Sequence, residues 1–181
     1  SIHSLNFKHT RGLVNQFRYF NGIDESIYVA DNKSKWLLKD YFEGIEKIGI
    51  IGWGSQAPSQ AQNLRDSLKS VNLDIPIQIG LRENSNSTKK VKELNFKVDS
   101  VENTLSTSDF NILLTSDASQ AENYQHFFSC LKPGSTLGLS HGFLLGHLKN
   151  MEDDFPENNI IMVAPKGMGP SVRKLYLEGD G

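Results

Sequence analysis

The chain has 181 residues, room for one domain of ordinary size with a little left over or plus an extension, and two full-size domains are not expected. Nineteen basic side chains against 21 acidic ones give a net charge of −2, without the basic stripe that tracks nucleic acid. No run approaches the roughly 18 apolar residues of a membrane span, so neither nucleic acid nor membrane is an expected partner.

Cys130 is the single cysteine, which leaves no internal disulfide and no thiolate metal cluster, and makes a reducing compartment the default. The first residues, Ser1 to Phe7, form neither a secretory apolar core nor an Arg-rich transit pattern. They also lack an initiator Met, which leaves a processed precursor open.

Residues 1–44 read as an N-terminal extension wrapped on the core, with a short strand at Ile27–Ala30 and a short helix from Trp36 to Phe42. From Ile45 onward, apolar runs alternate with stretches of helical spacing, the pattern of βαβ units on a parallel sheet. Strands are expected near Lys47–Ile51, Ile75–Leu81, Phe110–Thr115, Thr136–Ser140 and Ile160–Val163. The first helix is expected to begin near Pro58 and to present Ala57, Ala61, Leu64 and Leu68 to the sheet. Ala121, Tyr124, Phe128 and Leu131 mark a second such face, closed by Lys132-Pro133-Gly134. The fold class is therefore α/β, a doubly wound parallel sheet over residues 45–181.

Gly52-Trp53-Gly54-Ser55-Gln56-Ala57 is a G-x-G-x-x-A string placed directly after a strand and directly before a helix. Gly52 permits the tight turn, Gly54 lets backbone approach a pyrophosphate, and Ala57 allows close packing at the helix N-terminus. The alternative is a glycine turn with no ligand. The next strand ends Leu81-Arg82-Glu83-Asn84-Ser85-Asn86-Ser87, where an NAD site normally presents an acid to the ribose. Arg82 can stack on adenine and meet a 2′-phosphate with its charged fork, and Ser85 and Ser87 can donate hydroxyl hydrogen bonds to the same group. That favours NADP, with Glu83 as ribose ligand beside a solvated Arg82 as the competing reading.

Ligands of open parallel sheets lie beyond the carboxyl ends of the strands. Thr115-Ser116-Asp117, His141 and Lys166 each follow an expected strand and so should converge there. Taken alone, His141 also reads as a packed or capping residue. His147 is six positions on, the wrong spacing for a His pair on one helical face, so a metal site is not expected. Asp153-Asp154 reads as a solvated turn, Cys130 as inert core, Trp36 as packing, and Trp53 as a wall of the crevice.

The strings Ile48 to Pro58, Ala61 to Leu68, Gly138 to His147 and Pro165 to Arg173 closely resemble the N-terminal domain of plant-type ketol-acid reductoisomerases. The resemblance covers Ile45 to Tyr176 and implies a Rossmann-like NADPH-binding domain. It also implies Mg²⁺-dependent alkyl migration and NADPH reduction of 2-acetolactate or 2-aceto-2-hydroxybutyrate, both 2-hydroxy-3-keto acids, in branched-chain amino-acid synthesis. Under it, Gly52, Trp53, Gly54, Ser55, Gln56, Arg82, Ser85, Ser87, Asp117, Gln120 and Gly169 would hold NADPH. His141 would be the active-site histidine, and Lys166 a lysine of the polar network near metal-bound water. In the family the metal-binding Asp and Glu residues belong to a helical C-terminal domain, which this chain is expected to lack. The chain alone should then bind NADPH without Mg²⁺ and without turnover. Plastid stroma and oligomer contacts through the absent portion complete what the resemblance implies. A free-standing NADP-binding module and an ordinary dehydrogenase without magnesium are the alternatives.

Overall fold

A computed structural model describes residues 13–20, 23–30 and 38–179. The chain divides into two compact units, Ser1–Glu43 and Gly44–Gly181. In the first, β1 (Leu13–Phe20) and β2 (Ile23–Ala30) pair antiparallel, with Leu13 opposite Ala30 and Phe20 opposite Ile23. A short α1 (Leu38–Tyr41) follows. The strand expected at Ile27–Ala30 is the second half of β2, which begins four residues earlier, and Trp36 lies outside the described residues.

The second unit is a six-stranded, all-parallel sheet in the order β5-β4-β3-β6-β7-β8. Its strands are β3 (Ile48–Ile51), β4 (Ile77–Gly80), β5 (Lys97–Asp99), β6 (Phe110–Leu113), β7 (Thr136–Leu139) and β8 (Asn159–Met162). Winding runs outward from β3 to β5, then restarts at β6 on the other side of β3. The carboxyl ends of β3 and β6 therefore form the switch point where such sheets bind ligands.

Central strands are buried on both faces, which is why they read as continuous apolar runs: β3 and β4 are buried at every position. The helices are α2 (Ala57–Ser70), α3 (Thr88–Glu93), α4 (Val101–Thr107), α5 (Asp117–Cys130), α6 (Phe143–Met151) and α7 (Gly169–Glu178). Ala57, Ala61 and Leu68 of α2 are buried as the spacing predicts, while Leu64 is half-buried. On α5 the buried face is Gln120, Tyr124 and Phe127, one position round from the expected Ala121 and Phe128, which are half-buried. Tyr124, Phe127 and Leu131 join Ile51, Leu105, Leu113, Leu137, Leu139, Leu144 and Leu148 in one core cluster, with Cys130 packed at its edge.

The amino edge of the sheet is tied by one carboxylate. Asp109 Oδ2 accepts from the backbone N–H of Glu46 (2.9 Å) and Lys47 (3.0 Å), and Oδ1 from Lys132 Nζ (2.5 Å). Burial opposes its ionisation, but the Lys132 ammonium and the two N–H groups outweigh that, holding the carboxyl below its ordinary range. Asp109→Asn should cost about 1.5 kcal/mol at neutral pH, the low end for charged hydrogen bonds because Lys132 is half-exposed. Folding lowers this pKa, so the contribution is whole above the unfolded value near about 3.9 and fades as pH falls through the folded one. Urea midpoints of the variant and the parent should therefore differ at pH 7 and draw together in acid. A gap independent of pH would mean that the charge does not stabilise this edge.

Candidate functional site

Beyond the carboxyl ends of the strands lies a cleft of about 1090 Å³, running from the glycine turn to the loops after β4, β5 and β6. The backbone builds its floor. Gly52 N–H donates to Gly80 carbonyl (3.0 Å), Leu81 N–H to Asp99 carbonyl (3.0 Å), and Leu114 N–H to Ile51 carbonyl (2.8 Å), so the three loops leave the sheet in step. Gly52 sits at φ +94°, and a Cβ there would come within 2.9–3.0 Å of Thr115 and the Leu114 carbonyl. Only glycine meets both demands. At Gly54, which is exposed, an added Cβ would meet only the Leu114 carbonyl at 3.6 Å, so space opens above the turn. Trp53 lines the cleft with its ring edge-on to Phe96, at 5.8 Å between centroids.

Arg82 and Ser85 line the same cleft from the loop after β4. Among the described residues, no carboxylate lies within ion-pair distance of the Arg82 guanidinium. Ser85 N–H donates to the Arg82 carbonyl (3.2 Å), and Ser87 N–H donates to Ser85 Oγ (3.3 Å), which leaves the Ser85 hydroxyl proton free to donate elsewhere. Ser87, at the N-cap of α3, stands behind Ser85 and is not a wall of the cleft. Glu83 is a wall of it as well.

The rest of the cleft lining was not legible as a site. Asp99, Ser100, Val101 and Glu102 supply it from the loop between β5 and α4, and Glu122, Asn123, His126 and Phe127 from α5. Asp99 is held ionised by the Ser100 N–H, to which its carboxylate is bonded at 2.7 Å, and by Asn103 at 2.6 Å. Glu102 accepts from His126 Nε2 at 2.9 Å, and that bond holds its carboxyl below the ordinary range. Asp99 ends β5, the strand paired with β4, and its carbonyl accepts from Leu81 N–H, so this carboxylate stands on the strand beside the Arg82 loop. The one usable signal was Ser100, a side-chain cap on α4 whose Oγ accepts from Asn103 N–H at 3.0 Å.

The remaining sequence-derived residues are placed around the cleft rather than in it. Thr115 and Ser116 line it, but Asp117, Gln120, His141, Lys166 and Gly169 do not. Gln120 is buried and donates from Nε2 to the Thr115 carbonyl (2.9 Å), stiffening the loop after β6. Asp117 Oδ1 lies 3.1 Å from His141 Nε2, so the loops after β6 and β7 do bring those two together. His141 also caps, since its Nδ1 accepts from Phe143 N–H at 3.2 Å. Ser55 is exposed, and Gln56 turns away from the cleft to donate from Nε2 to the Gly167 carbonyl (2.9 Å). Gly169 is buried against the Ser55 carbonyl, and its own carbonyl accepts from Ser59 Oγ at 2.5 Å. Lys166 is exposed, one residue before the carbonyl that Gln56 holds.

Below these contacts α7 is strapped to α2. Arg173 bonds Asn63 Oδ1 (2.9 Å) and pairs with Asp66 (2.7 Å), while Ser67 and Tyr176 share a hydroxyl bond at 2.8 Å. Asp153, expected as a solvated turn, accepts from the Tyr124 hydroxyl, which raises the pKa of that phenol. Among the described residues, no group of three His, Cys, Asp or Glu could hold a metal ion, and no helix is long and apolar enough to cross a membrane.

Comparison with known proteins agrees with this architecture. Residues 44–181 match the acetohydroxy acid isomeroreductase NADPH-binding domain. Over 165 residues the chain is 51% identical to the chloroplastic ketol-acid reductoisomerase of Spinacia oleracea, covering 88% of this chain and 28% of that protein. The chloroplastic enzyme of Pisum sativum is 54% identical over 149 residues, 79% of this chain and 26% of that one. A solved NADH-preferring ketol-acid reductoisomerase from an uncultured archean superposes with a TM-score of 0.63 at 33% identity, over 81% of this chain and 42% of that chain. The chain thus spans about a quarter of the length of these plant relatives. It belongs to the acetohydroxy acid isomeroreductase family, and residues 44–181 form that family's NADPH-binding domain.

Proposed function

We propose that the chain is the NADPH-holding part of a ketol-acid reductoisomerase acting on 2-acetolactate or 2-aceto-2-hydroxybutyrate in branched-chain amino-acid synthesis. The observation that carries this is the single cleft joining the Gly52–Gly54 turn to Arg82 and Ser85. The residues fit the cofactor: there is open space above Gly54, an N-terminus of α2 without a side-chain cap, and, in the loop after β4, a guanidinium with no carboxylate partner among the described residues.

NADPH, when bound, supplies the hydride. The first-turn N–H groups of α2 and the glycine turn would take the pyrophosphate, with Trp53 walling the crevice. Arg82 and the Ser85 hydroxyl would take the 2′-phosphate, with Ser87 orienting Ser85 through its backbone N–H. Gln56, Gln120 and Gly169 serve the site by fixing its loops, and Ser55 stands exposed in the glycine turn itself. His141 and Lys166, carried by the loops after β7 and β8, are the candidate catalytic residues. In a ketone reduction they could hold or deliver protons as charge develops on oxygen.

Magnesium does not fit the described residues, because hard-cation sites need clustered carboxylate oxygens and none cluster here. The reading places Mg²⁺ in the complete enzyme, on residues outside those described, and the chain alone should bind NADPH without turnover. Plastid residence and a homo-oligomeric enzyme belong to the same proposal, the first supported by the chloroplastic relatives.

The test is His141→Gln in a polypeptide completed to the length of its relatives. Turnover of 2-acetolactate should fall by about 100-fold or more, the usual share of a proton-transfer group, with NADPH affinity nearly unchanged. Unchanged turnover would reduce His141 to a helix cap.

A further inference from the structure

We propose that Asp117 is a positioning residue for His141, holding the Nε2 edge of an imidazole whose Nδ1 is taken by the backbone. The residue types alone would have Asp117 face the cofactor, yet its neighbours Ser116, Ala118 and Ser119 line the cleft and Asp117 does not. Its carboxylate is turned to His141 Nε2 at 3.1 Å.

The other ring nitrogen is also occupied. α6 begins after Gly142, which has no side chain to cap it, and His141 Nδ1 accepts the N–H of Phe143 (3.2 Å). A backbone N–H can only donate, so Nδ1 is bare and the proton of the neutral ring sits on Nε2, the nitrogen that lies 3.1 Å from the Asp117 carboxylate. The ring is thereby held between the first turn of α5 and the first turn of α6. Phe143 meets it edge-on at 6.3 Å and stacks in turn on His147 at 5.8 Å. A histidine whose Nδ1 is taken by a backbone N–H keeps one tautomer, and the carboxylate beside Nε2 sets which way that edge of the ring faces.

The consequence for catalysis rests on the reductoisomerase reading above, but the positioning itself is measurable in this chain. Nitrogen-15 NMR of the histidine-labelled chain, with His141→Gln assigning the signal, should show His141 with a bare Nδ1 and an observable Nε2–H. Asp117→Ala should lose the Nε2–H signal to exchange with water. Asp117→Asn, whose amide oxygen can still accept, should restore it, and backbone amide spectra of both variants should show the fold retained. A proton on Nδ1 in the parent chain, or an Nε2–H signal indifferent to Asp117→Ala, would overturn the proposal. In the completed enzyme, Asp117→Ala should lower kcat while leaving KM for NADPH in place. Absence of any 2-acetolactate turnover in the completed parent would instead sink the reductoisomerase reading and leave the spectroscopic result standing.

Discussion

Gly169→Ala is expected to destabilise the second unit by about 1–3 kcal/mol, a fall in Tm of roughly 2–12 °C, and to weaken NADPH binding as well. An added Cβ would lie 1.8 Å from the Ser55 carbonyl oxygen and 2.8 Å from its carbon. Both are backbone atoms of the turn before α2, so no rotamer change relieves the overlap. Either the start of α7 lifts, breaking the bonds from Ser59 to Gly169 and from Gln56 to Gly167, or the Ser55-Gln56 peptide shifts and carries the glycine turn with it. Both routes disturb the surface expected to meet pyrophosphate. Gly146→Ala is the control: it lies within α6 with nothing inside 4 Å of an added Cβ, so it should stabilise by about 0.4–1 kcal/mol. A tolerated Gly169→Ala would show that the contact between α7 and the glycine turn is not fixed.

Arg82→Ala should raise the Kd for NADPH by about 10- to 150-fold, the loss expected for hydrogen bonds to a charged group, and the Kd for NADH far less. Arg82 is an exposed cleft residue whose charge no described carboxylate neutralises, whereas Asp99 and Glu102 of the same cleft are bonded and ionised. A phosphate dianion in this cleft is attracted to that unneutralised guanidinium, because the nearby carboxylates are already engaged by other donors. Equal losses for the two cofactors would remove the argument for 2′-phosphate recognition and bring Glu83 forward as the ribose ligand.

The sheet was largely legible because its central strands are buried on both faces and so write unbroken apolar runs such as Ile48–Ile51. The edge strand β5 was not: Lys97-Val98-Asp99 is three residues long with polar ends, so it carries neither a run nor an alternation. With β5 unseen, the loop after it and the short helices α3 and α4 were unseen too, and half of the cleft wall went with them. In the first unit, only one strand of the hairpin was read, although Asn21-Gly22 in the sequence is a recognised hairpin signal.

Residue types told where chemistry would gather more readily than which way side chains would turn. Glycine spacing located the turn, because φ at Gly52 and crowding against Thr115 demand that residue. Gln56 and Asp117 read as cofactor ligands, yet their partners are a carbonyl 111 residues away and a histidine on the next strand's loop. Neither pairing has a local signature, since each depends on how two loops meet at the end of the sheet.

The measurement that bears most directly on the whole account is a fluorescence titration of this chain with NADPH, with and without Mg²⁺. The account predicts saturable binding of one NADPH per chain, indifferent to Mg²⁺, with no consumption of added 2-acetolactate. A folded chain that leaves NADPH fluorescence unchanged at millimolar cofactor, and shows no binding by calorimetry, would contradict it.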